Sequence, residues 1–166
     1  MNKRLKDIME YVIIILAVIL FRTFIITPVR VSGDSMYPTL KDGNIMILNK
    51  IGYKINGLKR FDIVVIKYQN EKIIKRVIGL PGDYVEYKEN ELYINGSKVE
   101  EEFERGYTYD FNLSLFNETT IPEGKYLVLG DNRPISKDSR IIGLIDKDDI
   151  IGYTNLEIYP SIKKVK

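Results

Sequence analysis

A continuous apolar run near the N-terminus, from Ile8 to Thr27, constrains this chain more than any other feature of its sequence. The run is about 20 residues long, and as a helix rising roughly 1.5 Å per residue it matches the ~30 Å hydrocarbon layer of a bilayer. It therefore predicts one transmembrane anchor. A cleaved signal peptide fits less well, because no small-x-small cleavage site follows the run. A buried core helix is a further alternative, and it would need a partner large enough to cover apolar side chains all round.

The charges around the run predict the orientation of the anchor. Three basic residues precede it: Lys3, Arg4 and Lys6. By the positive-inside rule they keep the N-terminus in the cytoplasm and place everything beyond Pro28 outside the cell membrane. We expect a single-pass protein with two parts, a cytoplasmic tip and anchor over residues 1–28 and an extracytoplasmic domain over residues 29–166.

The residue types that are missing limit the chemistry. The chain has no Cys and no His, which excludes cysteine nucleophiles, disulfides, thiolate zinc sites and Ser-His-Asp triads. A nucleophilic serine would need Lys, Asp, Glu or Tyr as its base. Beyond the N-terminal segment the charges balance, so we expect no basic surface for nucleic acid. No nucleotide loop or metal cluster is apparent, and we expect no metal and no cofactor.

The chain beyond Pro28 is typical of β-structure. Seven short runs rich in Ile, Val and Tyr alternate with Gly, Pro, Asn and Asp: NIMILNKI, FDIVVIKY, EKIIKRVIGL, DYVEY, ELYING, KYLVLG and IIGYTNLEIY. Asn95-Gly96 predicts a two-residue hairpin turn, and GLPGD at 79–83 predicts a type II turn. We predict a mainly β fold, with a transmembrane helix before a small all-β domain.

Residues around 100–120 are polar, aromatic and less regular than the rest of the predicted domain, and we interpret them as a small insertion. The Glu run at 100–102 is more typical of a solvated face than of a ligand cluster.

The segment SGDSMYPTL, residues 32–40, is a candidate site for an exposed serine. Gly33 allows the backbone to turn, and Met36 can pack inward while Ser35 faces outward. On its own the segment is more typical of an ordinary turn, because serine-rich turns are common.

A candidate base lies in EKIIKRVIGL. Strand alternation places Lys75 on the same face as Ile73 and Val77. A lysine held among apolar side chains is desolvated, which lowers its pKa and favours the neutral amine that can act as a general base. An ordinary edge-strand lysine that discourages aggregation is the alternative.

Four segments occur in a fixed order behind the apolar run: SGDSMYPTL, KRFDIVVI, IIKRVIGLPGD and GDNRPISKDSR. Together they resemble the successive boxes of type I signal peptidases, the bacterial leader peptidase family, in its short form with one anchor. The resemblance extends from the anchor to about Tyr159. It implies a Ser/Lys-dyad endopeptidase that removes signal peptides from exported proteins on the outer face of the cytoplasmic membrane.

The resemblance also implies roles for single residues. Ser35, which Met follows, matches the nucleophile, and Lys75 matches the general base. Ser136 matches the serine that hydrogen-bonds and orients the lysine. Five charged residues match the scaffold beneath the dyad: Asp131, Arg133, Asp138, Arg140 and Arg76. Among these we expect Asp138 and Arg140 to form an ion pair.

The resemblance leaves part of the oxyanion site open. It implies the Ser35 backbone N–H as one donor, but some family members supply a second donor from a serine hydroxyl at the position that Gly33 occupies here. Ser32, the backbone N–H of Gly33 or Asp34, or a water molecule are the alternatives.

The same boxes imply how a substrate would bind. The backbone of residues 30–33 and of residues 72–74 would flank an extended peptide as added β-structure. Six side chains would line shallow pockets for small residues: Val29, Val31, Met36, Leu40, Ile73 and Ile74. The expected partners are signal peptides of exported preproteins and the lipid bilayer, with the secretion channel as a further candidate.

Three other functions stay open. A self-cleaving repressor shares the dyad and a related β-fold, but it would need a soluble DNA-binding N-terminus. A catalytically inactive homologue could serve as a membrane-anchored secretion partner, although Ser35, Lys75 and Ser136 are all intact. A purely structural single-span β-protein would have no need of the matched boxes.

Overall fold

The computed structural model describes the backbone of residues 3–24 and 26–165 and, within the first range, the side chains of residue 4 and residues 6–19. The chain begins with α1, Lys3–Phe24. The large apolar side chains described on α1 are 46–68% exposed. Within the described part of the chain, no helix is both long and apolar enough to count as a candidate membrane span. The predicted transmembrane anchor is therefore not confirmed.

Residues 26–165 form twelve strands: β1 Ile26–Arg30, β2 Ile45–Asn49, β3 Ile63–Tyr68, β4 Glu71–Gly79, β5 Val85–Lys88, β6 Glu91–Ile94, β7 Ser97–Val99, β8 Phe111–Asn112, β9 Lys125–Leu129, β10 Ile145–Asp146, β11 Ile150–Tyr159 and β12 Lys163–Lys164. Two short helices lie between strands: α2 Gly52–Asn56 and α3 Ser139–Ile142. The main sheet has the order β1-β2-β11-β3-β4-β9-β10, with β12 paired to β11. A smaller antiparallel sheet has the order β7-β6-β5-β8.

The predicted strands are confirmed, since all seven apolar runs contain a strand of the structure. Both predicted turns are present: Asn95 and Gly96 have positive φ between β6 and β7, and the Asp83 N–H donates to the Leu80 carbonyl across GLPGD. The sheet begins slightly earlier than expected, because β1 starts at Ile26 and the predicted boundary after residue 28 falls inside it. The pattern of apolar runs does not predict that these strands form two separate sheets.

The smaller sheet packs onto the main one through a shared core cluster. Ile78 of β4 and Leu127 of β9 contact buried side chains of β5 and β6 in that cluster. Gly79 allows the close approach, since a Cβ there would collide with Ile121 Cδ1 and would lie 2.8 Å from Val85 Cγ2. The irregular residues 100–110 then connect β7 to β8. The predicted insertion thus lies against the smaller sheet.

Strand β4 lies inside the main sheet, between β3 and β9. Its buried residues include the charged pair Lys75 and Arg76 at consecutive positions. Lys75 is opposite Val64 in the register with β3. Val77 packs with Val64 in one core cluster, as the predicted alternation along β4 requires. Two cations are therefore buried beside the apolar residues of β4, and each needs a specific partner.

Candidate active site

The segment between β1 and β2 forms a closed loop that presents Ser35. Two backbone hydrogen bonds close its base: the Val31 N–H donates to the Asn44 carbonyl at 2.8 Å, and the Gly43 N–H donates to the Val31 carbonyl at 3.0 Å. Met36 is buried in the core, while Ser35 is only half-buried. The loop is therefore anchored by a methionine directly after the serine, as predicted.

The structure brings Ser35 and Lys75 into hydrogen-bonding contact. The Lys75 Nζ donates to Ser35 Oγ at 2.8 Å and to the Ile74 carbonyl at 2.8 Å. Lys75 is 3% exposed. When the amine is neutral, the same distance allows its lone pair to accept the serine proton, which is the geometry a general base needs.

The surroundings of Lys75 favour the neutral amine. Burial lowers the pKa of Lys75 from 10.5 to about 8, because the charged form is desolvated. Asp138 and Asp131 act in the opposite direction, since their negative charges favour the ammonium form. Desolvation dominates, so a substantial fraction of the amine is neutral at mildly alkaline pH.

Both of these carboxylates have arginine partners. Asp131 accepts hydrogen bonds from Arg76 Nε at 2.8 Å and Nη2 at 2.6 Å, and both side chains are fully buried. Asp138 accepts from Arg140 Nε and Nη2, both at 2.8 Å, so the predicted Asp138–Arg140 ion pair is present. Bidentate pairing satisfies the charges with fixed geometry. Arg76 also lies over the Phe103 ring, 3.8 Å from its centroid.

Arg133 connects the last box to the insertion. Its guanidinium donates to the Gly130 carbonyl, Tyr87 Oη, Thr108 Oγ1 and Glu101 Oε1. The Glu101 side chain is only 2% exposed, so the predicted solvated face is wrong for this member of the Glu run. The sequence does not indicate which of the three consecutive glutamates is buried, because this depends on a contact with an arginine distant in the chain.

Ser136 lies close to the loop that carries Ser35, but the predicted hydrogen bond to Lys75 is not formed. The Ser136 hydroxyl is buried and has no hydrogen-bond partner among the described residues. Gly130 separates it from the loop that carries Ser35: a Cβ at that position would collide with both Ser136 Oγ and the Ser35 carbonyl oxygen. Glycine is therefore the residue that lets this serine approach the loop.

The oxyanion donors predicted in this loop differ in availability. The Gly33 N–H donates to Asp42 Oδ1 at 2.9 Å, so it is occupied in this conformation. The Ser35 N–H makes no hydrogen bond to any residue that the structure describes. Gly33 has a φ of +81°, which a serine at this position would adopt only with strain.

A cleft of about 420 Å³ runs past Ser35 and Lys75. Five of the six predicted pocket residues line it: Val29, Val31, Met36, Ile73 and Ile74. The prediction is wrong for Leu40, which is fully buried in the core cluster beneath the cleft. Glu71 and Lys72 add charge at one end. The cleft thus combines apolar side chains with two stretches of chain, residues 29–32 and 71–75.

The family comparison agrees with this geometry. A family model described as "Signal peptidase, peptidase S26" matches residues 4–159. This chain belongs to the signal peptidase family. The resemblance of its sequence boxes to that family is thereby confirmed, and with it the assignment of the chain to a family of endopeptidases.

Individual members of the signal peptidase family give the same result. Signal peptidase IB of Staphylococcus aureus (strain COL) is 44% identical over 177 aligned positions, which cover 93% of this chain and 91% of the relative. Signal peptidase I of Bacillus caldolyticus is 42% identical and covers 84% of this chain and 82% of the relative. The crystal structure of a signal peptidase I from Enterococcus faecalis V583 is 39% identical, with a TM-score of 0.54, and covers 58% of this chain and 95% of that structure. The mainly β domain of the signal peptidase type is confirmed.

Proposed function

We propose that this chain is a membrane-bound serine endopeptidase that removes N-terminal signal peptides from exported preproteins, with Ser35 as nucleophile and Lys75 as general base. The observation that carries the proposal is the 2.8 Å contact between Lys75 Nζ and Ser35 Oγ inside a cleft. The lowered pKa of Lys75 supports the same roles, because only the neutral amine can accept a proton.

The proposed reaction proceeds in two halves. Neutral Lys75 takes the proton of Ser35 as its Oγ attacks the scissile carbonyl carbon, and the carbonyl oxygen becomes an oxyanion that the Ser35 N–H stabilises. The lysine returns this proton to the leaving amine as the C–N bond breaks, which leaves an ester on Ser35. Lys75 then accepts a proton from water, the hydroxide attacks the ester, and Ser35 is released with its proton restored. Lysine thus serves as base and then acid in each half.

Substrate recognition follows from the walls of the cleft. We propose that residues 30–33 and residues 72–74 bind the peptide backbone as neighbouring strands would, which gives affinity without reading sequence. Val31, Ile73 and Ile74 then leave room only for small side chains near the cut. Ser136 and the paired Asp131 and Asp138 are proposed to position the dyad rather than to react.

We also propose that α1 attaches the domain to the lipid bilayer. The support is the exposure of its apolar side chains, such as Ile13 and Val18, which water would not stabilise. The basic residues before the run give the proposed orientation, with residues 1–28 as tip and anchor and residues 29–166 outside the cytoplasm.

The direct test is cleavage of a preprotein. Full-length protein purified in detergent is incubated with an exported preprotein, and the new N-terminus is determined by mass spectrometry. We expect a single cut immediately after the signal sequence, following small residues at the first and third positions before the bond. An intact preprotein after long incubation at pH 8 to 9 would favour the non-catalytic secretion partner instead.

Shortening a pocket side chain is expected to change selectivity. Ile74→Ala should raise the rate with Val before the cut, relative to Ala there, by roughly tenfold or more, since pocket depth is set by the side chains that fill it. The ratio of kcat/KM values for the two preproteins measures this. Ile66→Ala is the control, because Ile66 is also buried but does not line the cleft. An unchanged ratio for Ile74→Ala would place selectivity elsewhere.

A further inference from the structure

Asn132 holds the backbone on both sides of the nucleophile. Its side-chain Nδ2 donates to the Asp34 carbonyl at 3.1 Å, and its backbone N–H donates to the Ser35 carbonyl at 3.1 Å. The two carbonyls flank the Ser35 residue in the chain. One asparagine therefore constrains the two peptide planes that meet at Ser35.

The first of these planes contains the proposed oxyanion donor. The Asp34 carbonyl and the Ser35 N–H belong to the same planar peptide group, in which a trans bond directs them to opposite sides. The Asp34 carbonyl oxygen accepts from two donors, Asn132 Nδ2 and the Tyr37 N–H, both at 3.1 Å, and holding this oxygen also sets the direction of the Ser35 N–H. The Ser35 N–H has no hydrogen-bond partner among the described residues, so it can donate to a ligand.

Asn132 is itself rigidly placed by the dyad strand. Its neighbour Asp131 is held by two hydrogen bonds from Arg76, and Arg76 directly follows Lys75 on β4. The Asn132 carbonyl accepts the backbone N–H groups of Ile135 and Ser136, which closes the turn that carries it. A short covalent and hydrogen-bonded path therefore connects the base to the oxyanion donor.

We propose that Asn132 is a positioning residue that orients the Ser35 N–H toward the oxyanion. The inference rests on the proposed function, since it assigns a role within the same site. Without the amide, the Asp34 carbonyl keeps only the hydrogen bond from the Tyr37 N–H and can bond to water in place of the other, so the peptide plane is held less tightly. Losing this hydrogen bond should therefore weaken the stabilisation of the oxyanion in the transition state rather than substrate binding.

Two variants and one control test this inference. Asn132→Ala removes the donor, and Asn132→Asp keeps the shape while replacing the donor by an acceptor that repels the Asp34 carbonyl. Asn155→Ala is the control, because Asn155 is exposed on β11 and lies outside the cleft. We expect kcat of both Asn132 variants to fall on the order of 10- to 100-fold, with KM nearly unchanged. This loss is smaller than the one expected if the oxyanion donor itself were removed. Thermal unfolding of all variants separates this loss from unfolding.

A second readout does not depend on catalysis. The backbone order parameter of the Ser35 N–H, from ¹⁵N relaxation of the full-length protein in micelles, should fall measurably in Asn132→Ala below the value of about 0.85 that is typical of rigid backbone. It should stay unchanged in Asn155→Ala. If the wild type fails to cleave, the proposed function is wrong, and the order parameter still decides whether Asn132 fixes this peptide plane.

Two results would overturn the inference while leaving the proposed function intact. One is wild-type kcat in a folded Asn132→Ala variant. The other is a raised KM with an unchanged order parameter, which would assign Asn132 to substrate binding instead.

Discussion

Ser35→Ala is expected to abolish preprotein cleavage, with a loss in kcat on the order of a million-fold, as for a removed nucleophile in other serine proteases. The substitution removes the Oγ that accepts the hydrogen bond from Lys75 and leaves the loop otherwise intact. Ser35 is only half-buried, so the fold should be retained. The measurement is the cleavage rate of a preprotein under single-turnover conditions, together with the thermal midpoint.

Ser32→Ala is the matched control for this prediction. Ser32 lies in the same loop and lines the same cleft, but no hydrogen bond connects it to Lys75 among the described residues. We expect its variant to retain much of the wild-type rate, because its role is at most supporting. If Ser32→Ala were inactive and Ser35→Ala active, the nucleophile would have to be reassigned.

Local patterns predicted the strands of this domain well, because strand and turn formation depends on neighbouring residues. The Ile- and Val-rich runs, the Asn95-Gly96 turn and the inward-facing Met36 are all local features, and the structure agrees with each. Alternation along β4 is local in the same sense, and the structure agrees with its prediction that Lys75 is desolvated among apolar neighbours.

Contacts distant in sequence had no local signal. Lys75 and Ser35 are 40 residues apart, and Arg76 and Asp131 are 55 apart. Only the joint occurrence of the boxes linked these segments, through the family they resemble. Glu101 lies outside these boxes, and its prediction was wrong. It is 32 residues from its partner Arg133, and no local feature distinguishes it from its exposed neighbours.

The errors within the boxes have a geometric origin. Leu40 lies in the same loop as Ser35 and is predicted to line the pocket, but its N–H donates to the Met36 carbonyl and its side chain enters the core. Sequence order alone does not say which side of such a turn faces the cleft. The Ser136 hydroxyl shows the same limitation, since its predicted partner depends on a rotamer.

The activity of the wild type should depend on pH through Lys75. Since burial lowers the pKa of Lys75 to about 8, the protonated and inactive amine predominates below that value. We expect kcat/KM to fall roughly tenfold for each pH unit below 8 and to reach a plateau above it. The profile of kcat/KM against pH between 6 and 10, corrected for unfolding, checks this.

Lys75→Arg is expected to remove this pH dependence together with the activity. A guanidinium stays protonated at any usable pH, so the variant keeps the positive charge near Asp131 and Asp138 but cannot accept the Ser35 proton. We expect a loss of roughly four orders of magnitude or more, with no recovery up to pH 10. Lys67→Arg is the control, because Lys67 is exposed on β3 and should tolerate the same exchange. If Lys75 only supplied charge or packing, Lys75→Arg would remain substantially active, and the Ser/Lys mechanism would have to be abandoned.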